Sequence, residues 1–102
     1  MRRDGRTVIL TMSGELDMAT APRVHEHAAA ALGAGADPLV AEVGELTFVD
    51  SSGLEALILT QERAREGGVR FCILNGSAAL ERVLDASGTR EIFQLVRSLS
   101  EI

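Results

Sequence analysis

One cysteine, two prolines and no lysine occur among the 102 residues. A single thiol, Cys72, excludes any disulfide within the chain. It lies inside the apolar run VRFCIL, where a buried core thiol is expected. All basic residues are arginine, ten in number; they form no run, and fifteen acidic residues leave a formal charge of −5. Nucleic-acid binding needs clustered cations and is excluded on this balance. No apolar stretch approaches the roughly 20 residues of a membrane helix. The apolar run after Met1-Arg2-Arg3, Val8-Ile9-Leu10, is too short for a signal peptide. The expected setting is the cytoplasm, with no membrane partner.

Catalytic and cofactor signatures are missing as well. There is no G-x-S-x-G elbow and no S-x-x-K. Neither a G-x-x-x-x-G-K loop nor a G-x-G-x-x-G turn is present to cradle nucleotide phosphates. His25 and His27 stand two apart on an expected helix and point roughly 200° from each other, whereas a helical zinc pair wants i, i+4 spacing. They read as solvated surface histidines, and no metal or cofactor is expected. A hydrolase or phosphotransferase using Ser51 as nucleophile would lack a base and an oxyanion partner. The chain is therefore expected not to be an enzyme.

Apolar residues make up 46% of the chain, enough for one folded domain over residues 1–102. Thr7–Met12 is β-branched and apolar and predicts a strand. Thr20 is a candidate helix cap, with Pro22 in the first turn and Val24, Ala28, Ala31 and Leu32 on one face. Gly33-Ala34-Gly35 ends that helix. Leu39–Val43 predicts a second strand, with Leu46–Val49 leading onward. A second helix follows with Leu54, Leu57 and Ile58 inward and Gln61, Glu62 and Arg65 outward. Val69–Leu74 predicts a third strand. Ser77 caps a third helix carrying Leu80, Val83 and Leu84, closed by Ser87-Gly88. Ile92–Val96 is a candidate edge strand, and Ser98–Ile102 makes at most one helical turn. Alternating strands and helices predict an α/β fold. Strand, helix and strand over residues 39–74 should pair in parallel. A short link from the first strand predicts a mixed sheet. There is no internal repeat.

The stretch with chemical potential is TFVDSSGLEAL, residues 47–57. Asp50, Ser51 and Ser52 all suit an N-cap, which is worth about 1 kcal/mol. Capping needs only one of them. Gly53 would keep the loop clear for a second protein to approach a hydroxyl. A helix N-terminus also tolerates an anion, and phosphoserine brings roughly −1.5 to −2 charge at pH 7. Spacing leaves both uses open. Asp17, in GELD, is open in the same way between a turn-forming residue ahead of Thr20 and a partner contact.

GELD at 14–17, TFVDSSGLEAL at 47–57 and ALERVLDASG at 79–88 together resemble the bacterial anti-sigma factor antagonists, which are built on the STAS domain. The resemblance implies a mixed, mostly parallel sheet of four to five strands, with three to four helices packed mainly on one face. It implies binding to an anti-sigma factor that is also a serine kinase, so that a sigma factor is freed for transcription. It places phosphorylation on Ser51, the serine after the motif aspartate, with a PP2C-type phosphatase reversing it. The partner-binding set it implies is Asp17, Asp50, Ser52, Gly53 and Leu54, although Leu54 and Leu57 also suit the core. The alternative within the same fold is a scaffold or accessory subunit, of stressosome or lipid-transport type, without a phospho-switch. The chain departs from the family pattern at Glu42, where aspartate is frequent, at Thr89-Arg90, where an apolar residue usually follows the glycine, and in a C-terminal helix that is nearly absent.

Overall fold

A computed structural model describes all 102 residues. The strands are β1 (Arg2–Asp4), β2 (Thr7–Leu16), β3 (Leu39–Val49), β4 (Phe71–Leu74) and β5 (Gln94–Val96). The helices are α1 (Ala21–Gly33), α2 (Ser51–Glu66) and α3 (Ala78–Ser87), with 3-10 turns at Arg90–Ile92 and Leu99–Glu101. The sheet order is β1-β2-β3-β4-β5. Only β1 runs antiparallel to its neighbour; β2, β3, β4 and β5 are parallel. The mixed character thus comes from the N-terminal hairpin, not from the expected short link after Thr7–Met12, since α1 joins β2 to β3.

Alternation along the strands sorts side chains to two faces. Val8 and Leu10 of β2, Leu39 and Ala41 of β3, and Phe71 and Ile73 of β4 face the helices. From the helices they meet Val24, Ala28 and Ala31, then Leu54, Leu57 and Ala64, then Leu80 and Leu84. Fully burying a leucine contributes about 1.5–3 kcal/mol. The fully buried large side chains Leu39, Leu57, Ile73, Leu80 and Leu84 therefore dominate this layer. No helix residue joins the opposite face, where Ile9, Val40 and Cys72 lie in register. Leu74, Val96 and half-buried Ile102 complete that smaller cluster. Cys72 is wholly buried and donates to Gln94 Oε1 at 3.4 Å; desolvation pushes its thiol pKa up.

Helix ends follow their chemistry. Ser77 Oγ accepts from the Leu80 N–H at 3.2 Å, and Gly88 adopts φ +70° after α3, a left-handed cap that favours glycine. Arg90, one of the residues that departs from the family pattern, ties the turn after α3 to Glu81 and to Asp85 (2.7 Å), which raises its pKa further. At the other end of the sheet, the Arg70 backbone N–H donates to Asp37 Oδ1 at 3.3 Å and holds that carboxyl below its ordinary value. His25 does not behave as a solvated histidine: it is half-buried and its Nδ1 has no partner. Gln61, expected outward on α2, is half-buried, with Oε1 unpartnered.

Candidate functional site

Parallel pairing brings the C-terminal ends of β2 and β3 together. Leu16 lies opposite Val49, and Asp17 and Asp50 are the next residues on each chain segment. The Asp50 N–H donates to the Leu16 carbonyl at 3.2 Å, so this junction is fixed by backbone as well as by side chains. Adjacent strands lie about 4.8 Å apart. The two aspartates, distant in sequence, are thereby set on one rim.

Asp50 caps α2. Its backbone is extended (φ −105°, ψ −174°), and its carboxylate accepts from the Gly53 N–H at 2.9 Å. Ser51 is therefore the first helical residue, and its side chain is exposed. Ser52, the second, is half-buried. The cap leaves Ser51 Oγ facing solvent at the positive end of a 16-residue helix.

Gly53 has a packing reason within the fold. It is buried, and a Cβ there would fall 2.7 Å from Leu16 Cγ, 2.9 Å from the Leu16 carbonyl carbon and closer still to the carbonyl oxygen. The missing side chain admits the end of β2. Leu54 likewise turns inward and is 6% exposed. That is the core position the sequence also allowed it. Ala56, beside it, is also buried.

The Asp17 side chain organises its own loop. Asp17 Oδ1 accepts from the N–H groups of Ala19 (3.0 Å) and Thr20 (3.1 Å). Thr20 Oγ1 accepts from the Asp17 N–H at 2.9 Å and donates to the Glu15 carbonyl at 2.9 Å. Thr20 thus makes no side-chain cap of α1, contrary to expectation, and the carboxylate of Asp17 holds the turn that precedes the helix. Two exposed apolar residues at this rim, Met18 and Phe48, were not singled out in the sequence. The signal for Phe48 was its phase, adjacent to inward-facing Val49.

The paired ends of β2 and β3 carry Glu15, Asp17 and Asp50. None of these carboxylates forms an ion pair; the chain's salt bridges join Arg70 to Asp37 and Arg90 to Glu81 and Asp85. A cleft of about 260 Å³ opens beside the Asp17 loop, between β2 and α1, with Met12, Leu16 and Val24 among its apolar lining and Glu15 and Arg23 among its polar lining. No group of three His, Cys, Asp or Glu residues is placed to hold a metal ion. No helix is long and apolar enough to cross a membrane.

The STAS domain family model matches residues 1–102. Osmosensory protein A of Mycobacterium tuberculosis is 26% identical over 94 residues, covering 89% of this chain. The chain spans 59% of the length of that curated relative. Among solved structures, TM1081 of Thermotoga maritima superposes with a TM-score of 0.87 at 20% identity, covering 98% of this chain and 86% of the other. An anti-sigma factor antagonist of Mycobacterium paratuberculosis superposes with a TM-score of 0.84 at 25% identity, covering 98% of this chain and 85% of the other.

Proposed function

The chain belongs to the STAS domain family, and on that premise we propose that it is an anti-sigma factor antagonist switched off by phosphorylation on Ser51. In the active form it binds an anti-sigma serine kinase and so releases a sigma factor. The kinase transfers the γ-phosphoryl of ATP to Ser51 Oγ: the new O–P bond forms, the bond to ADP breaks, and the hydroxyl proton passes to a base of the kinase. A PP2C-type phosphatase hydrolyses the ester and restores binding. The chain itself catalyses nothing, and it works in the cytoplasm.

One observation carries this reading. Ser51 is exposed at the first position of α2 while Asp50, not Ser51, supplies the cap. A phosphate there meets free N–H groups and a favourable dipole, so the helix tolerates it. The fold stays intact and the surface changes. A hundredfold loss of affinity requires about 2.7 kcal/mol. Desolvating a dianion next to Asp50, on the strand-end rim shared with Asp17 and opposite the ADP phosphates left in the kinase, is of the required size.

Incubation with ATP and any anti-sigma kinase encoded near its gene tests this. Intact mass should rise by about 80 Da, one phosphoryl group, and Ser51→Ala should abolish the gain. No gain with any such kinase overturns the proposal and favours a scaffold or accessory role.

A further inference from the structure

The antagonist reading leaves open which side chains the kinase grips, and the inference that follows rests on that reading. Met18 is 77% exposed and Phe48 48% exposed, and both lie at the paired ends of β2 and β3, from which Ser51 follows. Each is displayed for a structural reason. Val49 fills the core, so Phe48 before it projects to the other face, where its register partner is Glu15. Met18 is the second residue of the turn that Asp17 and Thr20 lock from both ends. The carboxylate of Asp17 is engaged inward by two backbone donors, and the residue it holds outward is Met18.

We propose that Met18 and Phe48 are the apolar anchors of the kinase-docking surface, and that Asp17 is a positioning residue acting through Met18. The occupant is a kinase surface with an apolar pocket bordered by Lys or Arg. Charge complementarity selects it: Glu15 is the register partner of Phe48 and Asp50 follows two residues after it, and neither carboxylate forms an ion pair. Arg23, in the first turn of α1, is a nearby cation and pairs with none of these acids. Aromatic residues and methionine are enriched where interfaces are fully buried, and rim charges steer association.

The test measures binding to the anti-sigma kinase that modifies the wild-type chain. Met18→Ala and Phe48→Ala should each weaken binding about tenfold or more, with unchanged thermal midpoints, because neither side chain is in the core. Asp17→Asn keeps the Oδ1 acceptor and should bind nearly as wild type, whereas Asp17→Ala should weaken binding as Met18→Ala does. The association rate should fall as salt is raised. Anchor variants that bind within about twofold of wild type overturn the inference. So does Asp17→Asn binding as poorly as Asp17→Ala, which would make the charge itself the contact, and so does an association rate indifferent to salt. A wild-type chain that no such kinase binds overturns the antagonist reading, and this inference with it.

Discussion

The backbone of Gly53 is packed against that of Leu16, leaving no room for a Cβ at position 53. The obstruction is main chain, which cannot rotate away as a flexible side chain can. Gly53→Ala should therefore destabilise the fold by about 1–3 kcal/mol, the usual size of overpacking. Urea denaturation reads this directly. A loss below about 0.5 kcal/mol would mean that β2 and α2 separate easily.

Asp50 and Ser51 should separate cleanly in stability. Asp50→Ala removes the acceptor for the Gly53 N–H and should cost about 0.5–2 kcal/mol. Ser51→Ala removes an exposed hydroxyl outside the cap and should stay within about 0.5 kcal/mol of wild type. Equal losses in chemical denaturation would contradict the cap assignment.

Ser51→Asp places one negative charge where phosphate would sit. The thermal midpoint should hold, because acid is favoured at a helix start. Kinase affinity should drop about tenfold or more, or about 1.4 kcal/mol. An unfolded variant would contradict the tolerance of α2 for anions.

Cys72 sets an alkaline limit. Burial raises its folded pKa above the ordinary 9.0. The unfolded thiol then ionises before the folded one, so the stabilising contribution is complete below about 9 and is lost as pH rises from there toward the folded pKa. Stability measured from pH 8 upward should fall for wild type and fall less steeply for Cys72→Ala. In native buffer the thiol should react with Ellman's reagent far more slowly than in denaturant.

The layered α/β architecture was legible because apolar spacing survives folding. Val24, Ala28 and Ala31 mark the inner face of α1, and Leu80 and Leu84 that of α3, where Ser77 and Gly88 also mark the ends. The strand β1 was not legible. Arg2, Arg3 and Asp4 are all exposed and carry no alternation; their strand exists because their backbone pairs with β2. The Gly44-Glu45 pair read as a break between Leu39–Val43 and Leu46–Val49, yet β3 runs on through it with an irregular register against β2. The Glu42 carboxylate turns back to accept from the Gly44 N–H at 2.9 Å.

At the candidate site, sequence located the motif but could not allot its parts. Asp50, Ser51 and Ser52 are all cap formers, and backbone angles decide among them: Asp50 is extended, whereas Ser51 already begins the helix. Thr20, read as a helix cap, instead turns its hydroxyl back to the Asp17 N–H and the Glu15 carbonyl, while Asp17 takes the amide donors at 19 and 20. The purpose of Gly53 depends on Leu16, a residue on another strand that no local pattern could bring beside it.

The division between a residue that fastens α2 and its exposed neighbour has an evolutionary side. Ser51 bears almost no weight in the fold, so selection for a hardier protein in the core and selection for a keener or duller response at the rim act on separate positions. A lineage facing heat could toughen Leu57 and its surroundings without retuning its signalling, and one facing a new cognate enzyme could redraw the rim without endangering the scaffold.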